Sequence, residues 1–424
     1  MKQSDPAGSP RDPMILARRA VLLGGVALVG AASVSACSPG SGTDREATPS
    51  SEPTSAATRD SELGAKITAI VEPLLETLMV PGVVVAVRTP QEEWRQGFGR
   101  RSLASDSAPV TVDDHFRIGS NTKTMTGTCV LQLVDEGTVA LEDHVQQHLS
   151  QLTDDKLRGV TVAQLLDMSS GLHSYTELRS FNAILDSDPG RAWRPDELVA
   201  RGLAEDVDFP PGRDFHYSNT NTVLAGMLVE HHDRRPLEES FRVRILDQLS
   251  LANTLLPARD SAAIPDPHPR GYMYGTNVST LTTAVLSEAD QQRARSGELE
   301  PGDYTDANPS WGWAAGAGIS TAADLTTYVD ALIGGGLLSE ELQQRRLDSV
   351  KAVGSAGAGY GLALASFGPM LGHDGSLPGF TSFMAHDPKT RTTLIVLTTL
   401  QSSPDGQMVA NEIARPIIGA IIPS

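Results

Sequence analysis

Hydrophobic positions along the chain alternate between runs at helical spacing and short β-branched runs, with polar and glycine-rich breaks between them. Leu63–Leu78 carries apolar residues at helical spacing, and Gly82–Arg88 contains the continuous run VVVAV, which suits a buried strand. Thr122–Leu133 reads as a helix with Val130 and Leu133 on one side, ending before Gly137. Val162–Met168 and Thr220–Val229 read as two more. Thr321-Ala322-Ala323-Asp324 is a capping pattern that opens another helix, closed by Gly334-Gly335-Gly336. Two strand-like runs, Phe380–His386 and Thr392–Thr399, flank Asp387-Pro388-Lys389 as in a hairpin, and Asn411–Ile422 is apolar enough for a terminal helix. Strands near both ends around a helical middle predict one sheet built from both ends of the chain, and no internal repeat interrupts this order.

Before residue 62 the pattern is different. Ala20–Ala36 is an apolar, small-residue run directly after Arg18-Arg19, with Lys2 and Arg11 further upstream. It is short for a membrane span and reads as an export signal over residues 1–36. The paired arginines fit a twin-arginine signal only loosely, and Met14 is an alternative start to Met1. The run ends Val34-Ser35-Ala36-Cys37, which resembles a bacterial lipoprotein box and predicts a lipidated Cys37. Residues 37–61, rich in Ser, Thr, Pro and Gly, then predict a flexible tether. The expectation is an exported protein, lipid-anchored on the outer face of a bacterial cell membrane.

Residues 62–424 exceed the roughly 250–300 residues that one core usually supports, so two lobes sharing one site are expected. Cys129 is the sole cysteine after Cys37, so no disulfide can staple this part. Net charge is −18, and only 6 of the 34 basic residues are Lys. Without a basic patch, a nucleic-acid partner is excluded, and small or neutral substrates remain.

Three short motifs carry the candidate chemistry: Ser120-Asn121-Thr122-Lys123, Tyr217-Ser218-Asn219 and His373-Asp374-Gly375. Each is unique in the chain, since no other Lys follows a Ser by three, no other Tyr precedes an Asn by two, and no other His precedes a Gly by two. Ser-x-x-Lys at a helix start puts hydroxyl and amine on one face, one turn apart. A Lys of lowered pKa can take the Ser proton, and the helix N-terminus favours a developing oxyanion. A phenol nearby, its pKa depressed by the cation, is a second proton carrier, and a His on an adjacent strand is a further donor. His144 and His148, with Val145 where a metalloprotease needs Glu, read as surface residues, and His231-His232 as a helix end with a favourable dipole interaction. Trp311 and Trp313 fit either a pocket wall or the core. No Gly-x-Ser-x-Gly, P-loop, dinucleotide fingerprint or Cys/His cluster occurs, so neither a cofactor nor a metal is implied.

These motifs, with HFRIGSNTKTMTG, PPGRDFHYSNTNTVLAG and GHDGSLPGFTS around them, resemble the serine β-lactamase and penicillin-binding protein superfamily. The likeness is to its class C β-lactamase and D-alanyl-D-alanine carboxypeptidase branch, and it covers nearly all of Leu63–Ser424. It implies an α/β (α+β) fold in which helices flank an antiparallel sheet, with a mainly helical lobe and the active site between them. It further implies Ser120 as acylated nucleophile, Lys123 and Tyr217 as proton carriers, and His373 in place of the Lys of a Lys-Thr-Gly motif. Asn219, Asp374, Gly375 and Ser376 would meet substrate, with the oxyanion held by the N–H groups of Ser120 and Ser376. Asp374 departs from the Thr or Ser common there and, if it faces the cleft, opposes a substrate carboxylate. The implied function is a carboxypeptidase-like or related D-amino-acid peptide or amide hydrolase acting on small-molecule or peptidoglycan-peptide substrates. An esterase on neutral esters, a β-lactamase, a non-turnover penicillin sensor and a structural envelope lipoprotein are the alternatives.

Overall fold

The computed structural model describes residues 61–353 and 358–422; the export signal, Cys37 and all but the last residue of the tether lie outside the described residues. The first helix, α1 (Glu62–Leu78), is capped by Ser61, whose side chain accepts from the Gly64 N–H. Then come the hairpin β1 (Gly82–Arg88) and β2 (Glu93–Gly99), and after a loop the helix α2 (Thr122–Asp135). The middle of the chain is helical, with α3 (Asn219–Asp233) against α2. Thr321 caps α4 (Ala322–Gly334), accepting from the Asp324 N–H, and Gly335 ends it at φ 98°. Six strands follow: β3 (Lys351–Val353), β4 (Ala358–Gly361), β5 (Leu364–Phe367), β6 (Met370–Leu377), β7 (Phe380–Asp387) and β8 (Thr392–Thr398). The helix α5 (Val409–Ile421) completes the fold.

These eight strands form one antiparallel sheet in the order β2-β1-β8-β7-β6-β5-β4-β3, beside two separate two-stranded pairings. β1 and β8 pair from Val83↔Thr398 to Arg88↔Thr393, which joins the two chain ends. Val83, Val85 and Val87 pack with Ile67, Val71, Ile413 and Ile417 of α1 and α5 on one face of the sheet. Val84 and Ala86 point the other way, into a core shared with α4 and the helical middle. β1 is apolar up to Val87 because helices cover both of its sides.

The fold is the expected one, with two refinements. The division of the core follows the faces of the sheet, because one apolar cluster runs unbroken from Val84 and Leu397 into helical residues such as Leu165 and Leu228. The strands β3 to β6 were not predicted individually; β4 (AGYG) and β6 (MLGHDGSL) are glycine-rich, β3 and β5 are only three and four residues long, and Val353 is the one β-branched residue in all four. Cys129 is a buried free thiol.

Candidate active site

Ser120 sits in the tight turn Gly119–Asn121 that leads into α2, and Lys123 lies in the first turn of that helix. Helix α2 is buried on nearly every side from Thr122 to Leu133, and the Lys123 side chain is fully buried with it. Its Nζ lies 3.1 Å from Ser120 Oγ, 2.7 Å from Asn219 Oδ1 and 2.8 Å from the carbonyl oxygen of Ala315. Burial pushes its pKa from 10.5 down to about 7, against the upward pull of the Asp374 carboxylate. A neutral amine has two N–H donors and one lone pair. Asn219 Oδ1 and Ala315 O can only accept, so they take both hydrogens and leave the lone pair for the Ser120 hydroxyl. Such an arrangement can remove the Ser120 proton at neutral pH.

Tyr217 hydrogen-bonds Ser120, and Lys123 Nζ stands 4.8 Å from the centre of its ring. The expectation of a depressed phenol pKa is reversed. Burial raises it well above 10, and the neighbouring Tyr360 and Asp374 push the same way. The cation that was to depress it is itself buried and partly neutral at pH 7. Tyr217 therefore remains a phenol, equipped to give or relay a proton.

His373 lies on β6 and is buried, with Nδ1 2.6 Å from the carbonyl oxygen of Asp374 and Nε2 3.2 Å from the Tyr360 hydroxyl. Burial, then Lys123, pushes its pKa from 6.5 down to about 3, so the ring is neutral. Nδ1–H then donates to the carbonyl, and Nε2 accepts from Tyr360. With both nitrogens engaged and no share in the cavity wall, His373 is not the free proton donor expected. It backs the Tyr217 ring, 6.1 Å between centres.

Successive residues of a strand face opposite ways. Asp374 accordingly points away from Ser120, and its Oδ2 accepts from Asn411 Nδ2 of α5 at 2.8 Å. It does not line the cavity, so the condition under which it would oppose a substrate carboxylate, that it face the cleft, is not met. Gly375 is not on the cavity wall either; a Cβ there would collide with the Ile118 carbonyl. Gly119, at φ 52°, is required for the same close approach, since a Cβ on it would come within 2.8 Å of the Ser376 nitrogen. That contact brings the Ser376 amide beside Ser120, and both residues line the cavity. Asn219 also lines it, but its Oδ1 is engaged by Lys123 and its Nδ2 donates to Thr176 Oγ1 at 2.9 Å, so it fixes Lys123 first.

The cavity holds about 770 Å³. Phe181, Leu185, Trp311, Leu377 and Met408 supply apolar wall, and Asn182, Asn277 and Gln401 supply polar groups. Among the described residues lining it there is no Asp, Glu, Lys, Arg or His. Trp311 is thus wall, whereas Trp313 is core, at φ 32°, in the turn that aims the Ala315 carbonyl at Lys123. A depression of about 650 Å³ near Glu341 and Arg345 holds no catalytic group. His148 and His232 meet at 3.0 Å, but no cluster among the described residues could hold a metal ion. Tyr360, Thr176 and the Ala315 carbonyl were not predicted; only Tyr360 had a detectable signal, as an aromatic in a glycine-rich strand.

Residues 67–416 match the family model described as Beta-lactamase. The fold is similar to a D-stereospecific amidohydrolase from Streptomyces sp., at 31% identity and a TM-score of 0.68, over 80% of this chain and 96% of that one. It is also similar to the D-amino acid amidase of Ochrobactrum anthropi SV3, at 26% identity and a TM-score of 0.71, over 85% and 99%. A curated relative, Protein flp of Staphylococcus aureus (strain MW2), is 25% identical over 203 residues, which is 46% of this chain but only 39% of that protein. The family match spans most of the chain, and the chain belongs to the β-lactamase family as a serine hydrolase of the β-lactamase/penicillin-binding-protein fold.

Proposed function

We propose that the chain is an exported hydrolase that cleaves the amide bond following a D-amino-acid residue, through an acyl-enzyme at Ser120. Ser120 Oγ attacks the carbonyl carbon as its proton passes to Lys123 Nζ, and the N–H groups of Ser120 and Ser376 receive the oxyanion. The C–N bond breaks as Tyr217 gives its phenolic proton to the leaving nitrogen and is reprotonated from Lys123. Water then attacks the acyl carbon, giving one proton back through Lys123 to Ser120 and releasing the acid.

One observation carries the choice of substrate: among the described residues lining the cavity there is no basic one. A D-alanyl-D-alanine carboxypeptidase or a β-lactamase must seat a substrate carboxylate, and an unpaired anion in a partly enclosed site is costly. A leaving group without charge meets no such cost. The names of two similar structures, a D-stereospecific amidohydrolase and a D-amino acid amidase, support the same choice. Neutral esters fit the cleft equally and are the second reading.

A panel of D-amino-acid amide, D-Ala-D-Ala peptide, nitrocefin and p-nitrophenyl ester tests this. Turnover of amide and ester well above the other two is expected; fastest turnover of the dipeptide or nitrocefin would overturn it. Export and anchoring rest on the signal-like run ending in Cys37. Intact mass of the membrane-associated protein should show a lipid-modified N-terminus at Cys37, and a mature start elsewhere would refute it.

A further inference from the structure

Lys123 keeps its lone pair on Ser120 only while Asn219 Oδ1 takes one of its N–H groups. The Asn219 amide must therefore be held with its oxygen, not its nitrogen, toward Lys123. Asn219 Nδ2 donates to Thr176 Oγ1 at 2.9 Å, and the Asn219 N–H donates to Ser174 Oγ at 3.1 Å. The two hydroxyls lie 2.9 Å from each other. Asn219 is thus set by one short stretch of chain, Ser174–Thr176.

Charged side chains stand at both ends of that stretch. His173 precedes it and Glu177 follows it. Both are tied to His216, the residue before Tyr217. His216 Nε2 lies 3.1 Å from Glu177 Oε1, and its Nδ1 meets one oxygen of Asp208, whose other oxygen lies 3.0 Å from His173 Nδ1. The four side chains staple the Ser174–Thr176 turn to the Tyr217–Asn219 segment, and none of the four is on the cavity wall.

Both ring nitrogens of His216 face carboxylate oxygens, which accept and do not donate. Both nitrogens must then carry hydrogen, and the ring is an imidazolium. Burial alone would lower its pKa, but the hydrogen bonds to Asp208 and Glu177 outweigh burial and raise it from 6.5 to about 10. Charge-assisted bonds of this kind are roughly twice as strong as neutral ones. The staple is closed throughout the neutral pH range.

We propose, on the Ser120–Lys123 mechanism above, that His216 is a positioning residue for the reaction: held between Asp208 and Glu177, it keeps Thr176 against Asn219 and so keeps Asn219 Oδ1 on Lys123. It touches neither Ser120 nor the cavity and acts only through this chain of contacts.

A double-mutant cycle with p-nitrophenyl acetate, a small ester that reports on Ser120, tests this. Lys123 serves acylation and deacylation alike, so His216→Phe should lower kcat tenfold or more with KM within twofold. Glu177→Gln keeps an acceptor opposite Nε2 and should lose threefold or less. Thr176→Val breaks the same chain nearer to Asn219, so adding His216→Phe to it should cost a further twofold at most. An unchanged kcat in His216→Phe, or a raised KM with kcat preserved, would overturn the inference while leaving the hydrolase intact. Full additivity of the two substitutions would overturn it as well, since an effect passed through the neighbouring Tyr217 would add in full. If His216→Phe does not fold, Glu177→Ala takes its place in the cycle with the same expectation. A wild type that turns over no ester would overturn the Ser120 mechanism and the inference with it.

Discussion

Tyr360 donates its hydroxyl hydrogen to His373 Nε2 across 3.2 Å, and the rings of both residues pack on Tyr217, at 5.9 and 6.1 Å between centres. The contact orients a buried, neutral imidazole behind the phenol that bonds Ser120. Tyr360→Phe removes the donor and leaves Nε2 unsatisfied. The expected loss is about 1–3 kcal/mol of stability, with a several-fold lower kcat and little change in KM. Urea unfolding with steady-state kinetics checks this; unchanged stability and kcat would show that Tyr360 does not support the site.

Lys123 sets the pH dependence. The base must be neutral to act, and its pKa is about 7, so kcat/KM for an uncharged substrate should rise about tenfold per pH unit below 7 and level off above it. Tyr217 stays protonated to well above 10, so it imposes no alkaline limb up to pH 10. A rate that falls from pH 7 to pH 9 in folded enzyme would contradict this assignment.

The sequence made the helices legible where caps and periodicity agree, as at Thr321–Asp324 and Gly334–Gly336, and the last hairpin where two strand-like runs flank a Pro turn. It did not mark β3 to β6: β4 and β6 carry glycines that serve close approach, as where Gly375 lets Ile118 pass, and β3 and β5 are only three and four residues long. Ser120, Lys123 and Tyr217 come together as their motifs imply. The direction of Asp374 was not readable, because strand alternation turns it away only once the structure places His373 against Tyr217. What burial does to each titratable group was not readable, because the depressed Lys123 and His373 and the raised Tyr217 follow from packing that spans the whole chain.

Asp374 acts on Lys123 through charge, favouring its protonated form. Asp374→Asn removes that pull, so the Lys123 pKa should fall and the acid limb of the rate profile move to lower pH by a few tenths of a unit. The ratio of kcat/KM between a free-acid substrate and its C-terminal amide should stay the same, because the side chain faces Asn411 and not the cavity. A changed ratio would put the carboxylate back in the cleft.

Gly375→Ala probes the close passage of β6 beside Ile118. The added methyl must push the strand away, at about 1–3 kcal/mol for overpacking, and displace the Ser376 N–H from Ser120. Thermal unfolding and acylation rate should both suffer, the rate by tenfold or more; a variant of wild-type rate would remove Ser376 from the oxyanion site.

The central claim is that Ser120 is the nucleophile, activated by Lys123. Its most direct test is the mass of a trapped adduct after treatment with a fluorophosphonate, followed by peptide mapping of the wild type and of folded Ser120→Ala and Lys123→Met variants. One adduct per chain on Ser120 in the wild type, none in Ser120→Ala and a labelling rate at least 100-fold slower in Lys123→Met are the predicted results. An adduct on another residue, or unchanged labelling of Ser120→Ala, would contradict the account.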